Sequence, residues 1–488
     1  MTLSGLSYHE LTSYSRGGMS PHFLDWEHQP EVFKTYKDAK PIPLPRRIVI
    51  DPGLDLDRVL KKYPDFPPPQ ITVQGLSSIL LLTCTITAKA AHSGRPFYFR
   101  SVASAGALYP FELYVYTQGI EGLKDGLYHY DIQRHALCPL RKISPADAAP
   151  GLNFFLTSIF FRSAWKYRDR AYRYCLLDTG HLLENLMLSV RSHGFKLRVF
   201  YDYDDHLVNS FFGLDTEKEA SLAVCSTLHD ESQDLVPARH TWNELPDKAQ
   251  EASNVSGREV KYETIIQIHT STLHPMKRYN GSARMDNLLG LVTRDEMKIK
   301  ELPSWPANLS YSEAVFSRRS RRNFINQPMT RSQFDSVLDA LCMDRAPASG
   351  FCPISVALIT GKINSLSPGF YLLDREVRTL RIVRKGRLLE NMASICLDQA
   401  WLANASLHIL FVSNLRVLDE TMGSRGYRHA MLEAGRIGQI IYLLATSMGL
   451  GCCGVGAFYD DEATRILDLN ESSKPLYLVA VGPVKAIK

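Results

Sequence analysis

"YRYCLLDTGHLLENLMLSVRSHGF", residues 172–195, returns as "YRHAMLEAGRIGQIIYLLATSMGL", residues 427–450. Laid side by side, Tyr172 meets Tyr427, Arg173 meets Arg428 and Gly180 meets Gly435. Asp178 faces Glu433, and Gly194 meets Gly449 at the far end. Both segments place apolar or small residues at helical spacing and stop at glycine, which predicts the same long helix twice.

The echo extends outward. "SLAVCSTL" (221–228) follows the first helix as "LYLVAVGPV" (476–484) follows the second, and each reads as a buried strand. "GLYHYDIQRHALCPLRK" (126–142) resembles "GFYLLDREVRTLRIVRK" (369–385), strand, turn and strand in both. A period of more than 200 residues predicts a duplicated domain and not a solenoid. Between the copies, residues 229–263 are polar and charged and read as a surface linker. Pro-rich stretches at 41–45 and 64–69 mark a lead-in. The expected division is therefore a lead-in 1–69, a first copy 70–228, a linker 229–263 and a second copy 264–488.

The bulk numbers exclude several classes. At 488 residues the chain exceeds one ordinary core. A net charge of +5 over that length does not make the strongly basic face of a nucleic-acid binder. The apolar runs "SILLLTCTITA" and "QIIYLLATSMGL" fall short of the ~20 residues that span a bilayer. "MTLSGLSYHE" lacks the basic and apolar regions of a signal peptide. Nine cysteines without C-x-x-C pairs suit reduced thiols in a cytoplasm and no metal site.

Four stretches carry chemistry. In "VFSRRSRRNF" (315–324), Arg318, Ser320 and Arg322 alternate, so an extended segment projects all three to one side. Two guanidinium forks and a hydroxyl suit a phosphate monoester; the plainer reading is a solvated basic face. "GLGCCGVGAF" (449–458) contains G-x-G-x-x-G, but it closes a helix and "VGAFY" reads as strand, which excludes a dinucleotide fingerprint. Its glycines suit a helix stop and turn, or close approach of backbone to a flat ligand. "SVASAGALYPFELYVYT" (101–117) has almost no side-chain bulk from Ala103 to Ala107, as a tight turn or a planar contact requires. "WKYRDRAYRY" (165–174) reads as a helix N-terminal face with cation–π packing, or as an acid/base pair at Lys166 and Tyr167.

Together these stretches resemble the nitroreductase superfamily, and within it the tandem SagB/ThcOx-type FMN-dependent dehydrogenases, the azoline oxidases. The resemblance implies an α+β fold of two tandem nitroreductase-like domains forming an intramolecular pseudo-dimer. It implies an FMN phosphate clamp of R-x-S-x-[RK]-x-F type at Arg318, Ser320, Arg322 and Phe324. It implies a glycine loop beside the flavin at Gly454, Val455 and Gly456. It also implies an S-A-G-A-L-Y-P segment at Ser104, Ala105 and Gly106 through Pro110, with Ala103 where the subfamily has proline. The subfamily's dehydrogenation pair falls on Lys166 and Tyr167, and Lys485 is a candidate for a further phosphate contact near the C-terminus.

The first copy lacks R-x-S-x-R and the glycine loop; the second lacks S-A-G-A-L-Y-P and Lys-Tyr. One working flavin site and one vestigial one are therefore expected. The implied reaction is aromatisation of thiazoline or oxazoline rings on a peptide or peptide-like substrate, with hydride passing to N5 of FMN and oxygen as acceptor. The rival readings are an NAD(P)H-dependent nitro or quinone reductase, and a non-catalytic partner of a peptide-modifying assembly. A biosynthetic partner protein and a homodimer both stay open; nucleic acid, membrane and metal are not expected.

Overall fold

Strands buried along their length are rich in apolar residues, and the central strands of this protein are, with single buried polar residues such as Glu112, Asn153 and His408 among them. The computed structural model describes residues 3–19, 22–61, 70–92, 95–143, 151–227, 235–246, 249–276, 284–343 and 351–485. In chain order the strands are β1 (Ile42–Pro43), β2 (Ile86–His92), β3 (Arg95–Arg100), β4 (Phe111–Gln118), β5 (Gly126–Asp131), β6 (Ala136–Lys142), β7 (Gly151–Ile159), β8 (Arg198–Phe200) and β9 (Glu219–Ser226). They continue as β10 (Arg294–Lys298), β11 (Ser355–Thr360), β12 (Gly369–Asp374), β13 (Thr379–Lys385), β14 (Leu407–Asn414), β15 (Gly451–Val455) and β16 (Ser473–Gly482). The helices are α1 (Gly5–Leu11), α2 (Leu56–Lys61), α3 (Val73–Thr83), α4 (Phe160–Tyr167), α5 (Ala171–Ser192), α6 (Asp205–Phe212), α7 (Glu263–Ser271), α8 (Tyr311–Ser317), α9 (Arg331–Leu341), α10 (Leu389–Ile395), α11 (Leu415–Met422), α12 (Ser424–Ser447) and α13 (Asp460–Ile466).

Two seven-stranded sheets result, ordered β1-β6-β5-β4-β7-β9-β8 and β10-β13-β12-β11-β14-β16-β15. Strand by strand the orders correspond, and the paired strands run antiparallel. The echoed helices are α5 and α12, and both stop at a left-handed glycine, Gly194 (φ 84°) and Gly449 (φ 72°). The echoed strand–turn–strand segments agree to single hydrogen bonds. Asp131 accepts from the Arg134 N–H and Asp374 from the Val377 N–H, each followed by a left-handed residue, His135 and Arg378, both at φ 53°. Tyr128 donates to the Lys124 carbonyl and Tyr371 to the Ser367 carbonyl, both at 2.7 Å. Two α+β domains in tandem follow.

The chain divides into two compact units: Phe23–Asp51 with Lys62–Pro275, and Met1–His22 with Pro52–Lys61 and Met276–Lys488. The lead-in is thus not a unit of its own. Its β1 forms the edge of the first sheet, in the place that β10 takes in the second. In the second-copy unit, His9 on α1 bonds the Tyr427 hydroxyl through Nδ1 at 3.2 Å. In the first-copy unit, His269 on α7 bonds Tyr172 in the same way, also at 3.2 Å. The repeat therefore includes a helix that lies outside the expected copy boundaries. The stretch expected as a surface linker also departs from that reading. Val236 and Ala249 pack with Phe211 and Phe212 in the first-copy core, and Ser253 and Val255 are buried. Residues 64–69, 228–234 and 247–248 lie outside the described residues.

One buried ion pair fastens lead-in and linker to the first sheet. Lys34 Nζ donates to Glu219 at the start of β9, to the Tyr114 hydroxyl (2.8 Å) and to Ser253 Oγ (3.1 Å). Glu219 also accepts from Thr157 (2.6 Å), Ser253 (2.7 Å) and Tyr114 (3.0 Å). Burial opposes both charges, but each holds the other ionised: Lys34 is raised and Glu219 lowered from its ordinary value. Breaking such a pair leaves a lone buried charge. Lys34→Met should lower the unfolding free energy by about 3 kcal/mol, and adding Glu219→Leu should restore most of the loss. Urea unfolding of both variants checks this; a single variant as stable as the parent would contradict it.

Candidate functional site

The small-residue loop between β3 and β4 is held from below by one carboxylate. Ser104 Oγ donates to Asp178 Oδ2 at 2.6 Å, and the Ala105 N–H donates to both Asp178 oxygens at 3.1 Å. The Tyr109 N–H donates to Ser104 Oγ at 2.9 Å. These bonds fix a sharp turn in which Gly106 (φ 65°), Ala107 (φ 54°) and Tyr109 (φ 47°) all take left-handed backbone. Left-handed backbone is strained for Ala and Tyr, so the anchors must over-determine it. Burial pushes Asp178 up to about 7, although the Ser104 hydroxyl and Ala105 N–H pull it down.

Lys166 and Tyr167 come to this loop from α4. A Cβ at Gly106 would sit 2.9 Å from the Tyr167 hydroxyl and 3.4 Å from Lys166 Nζ. Glycine leaves room for both groups beside this exposed backbone, and its φ of 65° is one that side chains rarely adopt. Lys166 Nζ also lies 5.4 Å from the Tyr167 ring centre. Sequence reasoning read "WKYRDRAYRY" as one helix face; the structure corrects this. The α4 helix ends at Tyr167, Arg168 turns at φ 51°, and a short 3₁₀ segment Arg168–Arg170 leads into α5. Arg162, one turn before Lys166, ties α4 to the loop. Its Nη1 donates to the Tyr109 carbonyl (3.0 Å) and to Glu112 (2.6 Å), and its Nε to the Glu31 carbonyl (2.8 Å). Burial opposes the Glu112 charge, but Arg162 and His129 hold its carboxyl down at about 2.

The second copy carries the basic segment. A capping box at Ser310 and Glu313 starts α8, and at Arg318 the chain turns extended. The Arg321 N–H donates to the Cys452 carbonyl on β15, and Phe324 bridges to Val484. The Lys485 N–H donates to the Asn323 carbonyl at 3.2 Å, so the C-terminal candidate lies beside the basic segment. Arg318 lies over the Tyr442 ring (5.5 Å), Ser320 Oγ meets the Tyr442 hydroxyl (2.9 Å), and Arg322 lies over the Trp401 ring (5.9 Å). Arg319 instead folds back onto the carbonyls of Phe316 and Arg318. Two guanidinium groups and a hydroxyl within five residues are a donor set that fits a phosphate monoester.

The glycine stretch requires a correction. The strand is Gly451–Val455 itself, and "AFY" leads into α13 instead of forming a strand. A Cβ at Gly454 would meet the Tyr477 hydroxyl at 1.8 Å, and one at Gly451 would meet Val484 at 2.1 Å. Packing within this domain accounts for both glycines. The Gly454 N–H donates to Tyr442 (2.7 Å), and Val455 is buried at the strand end before Gly456. Where the second copy has Gly451 and Gly454, the repeat sets Lys196 and Val199 in the first.

Asp178, Arg162 and Tyr442 were missed as site residues. Asp178 was visible only as the counterpart of Glu433, which in the second copy accepts from Arg436 of its own helix at 2.5 Å. Tyr442 had one signal, a single phenol in the aliphatic run "QIIYLLATSMGL".

Asp178 gives a pH test. The folded chain keeps this proton up to about pH 7, whereas the unfolded chain loses it near 3.8. The stability it contributes is full below about pH 4 and is lost as the pH rises through about 7. Asp178→Asn should lack that fall, so its melting temperature should gain on the parent between pH 5 and pH 8. Parallel profiles from thermal unfolding would refute the assignment.

The nitroreductase family matches residues 66–226 and 315–483, more than half of the chain. A solved nitroreductase-type protein of Anabaena variabilis superposes with a TM-score of 0.76 at 25% identity, covering 99% of this chain and 100% of that one. The microcin B17-processing protein McbC of Escherichia coli is 32% identical over 142 residues, 26% of this chain and 52% of its own length. The trifolitoxin-processing protein TfxB of Rhizobium leguminosarum bv. trifolii is 28% identical over 142 residues, covering 26% of this chain and 38% of its own. The chain thus spans about half or less of these two relatives. No helix among the described residues is long and apolar enough to cross a membrane. Six of the seven strands of each large sheet fall within the matched residues, and the chain belongs to the nitroreductase family, as two tandem copies, in a family of oxidoreductases that typically bind flavin.

Proposed function

We propose that this protein is an FMN-dependent dehydrogenase that aromatises azoline rings, thiazoline to thiazole or oxazoline to oxazole, on a peptide or peptide-like substrate. The observation that carries the reading is the meeting of Lys166 Nζ and the Tyr167 hydroxyl at Gly106. Aromatisation removes a proton and a hydride from adjacent ring atoms, and this pair offers two groups that can take the proton. The names of McbC and TfxB, both peptide-processing proteins, support the substrate class.

Arg318, Ser320 and Arg322 would hold the FMN phosphate, with Lys485 beside them. Bound FMN supplies the hydride acceptor, and oxygen the final one. Arg162 and Asp178 keep α4 and the 104–110 loop in register, so that Tyr167 and Lys166 stay at Gly106. The nine cysteines are all free thiols, in keeping with a cytoplasmic protein. A biosynthetic partner protein fits the same chemistry. One observation favours a second reading, an NAD(P)H-dependent reductase. The nitroreductase-type protein MJ1384 of Methanocaldococcus jannaschii is 28% identical over 182 residues, 91% of its length.

Only the second copy has the basic clamp, so the purified protein should show an oxidised-flavin spectrum with about one FMN per chain, identified by mass after release. A ratio near two would contradict a single site. Lys166→Ala and Tyr167→Phe should keep FMN and lose about 100-fold or more in oxygen-dependent turnover of a thiazoline-bearing peptide. Full turnover in both variants, or steady NAD(P)H oxidation with a nitroaromatic acceptor in its place, would favour the reductase.

A further inference from the structure

Three parts of the second copy's basic site converge on one buried phenol. The Gly454 N–H donates to the Tyr442 hydroxyl at 2.7 Å, Ser320 Oγ lies 2.9 Å from it, and the Arg318 guanidinium lies 5.5 Å from the ring centre. Tyr442 itself sits on α12, buried, and does not belong to the R-x-S-x-R segment. We propose that Tyr442 is a positioning residue that sets cofactor specificity: it orients the Ser320 hydroxyl and the Arg318 guanidinium so that the clamp prefers a flavin ending in a phosphate monoester over the same flavin without one. The proposal rests on the FMN reading above.

A phenol has one proton and can accept through its oxygen lone pairs. Gly454 donates to that oxygen, and Ser320 Oγ bonds the same hydroxyl, with either of the two able to be the donor. Ser320 is exposed, so the hydroxyl held at Tyr442 is also open to a ligand. Burial pushes the Tyr442 phenol well above its ordinary value, so it remains a neutral donor. The Tyr442 ring beneath the Arg318 guanidinium adds a cation–π contact that limits where the fork can point. The first copy has Met187 at the corresponding helix position, and a thioether cannot donate.

Tyr442→Phe keeps the ring and removes only the hydroxyl. Dissociation constants for FMN and for riboflavin, read by flavin fluorescence on protein stripped of flavin, should separate the roles. We expect FMN to weaken about tenfold, the value of one or two hydrogen bonds, while riboflavin stays unchanged. Ser320→Ala, at an exposed position that does not threaten the fold, should give the same selective loss, and the double variant should lose no more than either alone. Equal loss of both flavins, additive losses, or an unchanged FMN preference in Tyr442→Phe would overturn the role given to Tyr442. A parent protein with no preference for FMN over riboflavin would overturn the FMN reading itself.

Discussion

A carboxylate inside a buried helix must find partners, and that constraint shapes both copies. Asp178 and Glu433 occupy the same place in α5 and α12, helices whose residues are almost all buried. Neither can be solvated there, so each must be neutralised, hydrogen-bonded or paired. Glu433 takes Arg436 of its own helix, a local solution. Asp178 reaches across to the Ser104–Ala105 turn and holds a loop in left-handed backbone that its own residues would not choose. One position of the repeat is thus a helix-internal ion pair in one copy and a loop anchor in the other.

The same pattern of shared frame and divergent detail runs through the molecule. The two sheets have the same order, and the turns β5–β6 and β12–β13 have the same Asp acceptor and the same left-handed residue. Backbone geometry of this kind survives because each turn residue is dictated by local sterics and hydrogen bonding. The chemical groups did not stay shared. Gly451 and Gly454 face Lys196 and Val199 across the repeat, and Tyr442 faces Met187. The loop anchored by Asp178, with Lys166 and Tyr167 at its glycine, belongs to the first copy; the clamp around Tyr442 belongs to the second.

Much of this was legible in one sequence. The duplication, both long helices and their glycine stops followed from periodicity, because helical spacing and left-handed glycine are local properties. The alternation of Arg318, Ser320 and Arg322 was also local, since an extended chain puts every second residue on one side. Less legible were residues whose partners lie far along the chain. Lys34 meets Glu219 across 185 residues, and Ser253 joins them from a stretch whose polar composition suggested a solvated linker. Composition describes what a segment would do alone, not what it covers.

The sequence by itself determined that there are two copies, where their long helices end, and which residues alternate on the basic segment, because each depends on neighbours within a few positions. The tertiary structure decided the rest. It showed that the glycines of β15 make room for Tyr477 and Val484, that Gly106 lies against Lys166 and Tyr167, that Tyr442 bonds Ser320 and Gly454, and that Asp178 bonds the Ser104–Ala105 turn. A missing Cβ is visible in any sequence, but what fills the space is set by packing between segments distant in the chain.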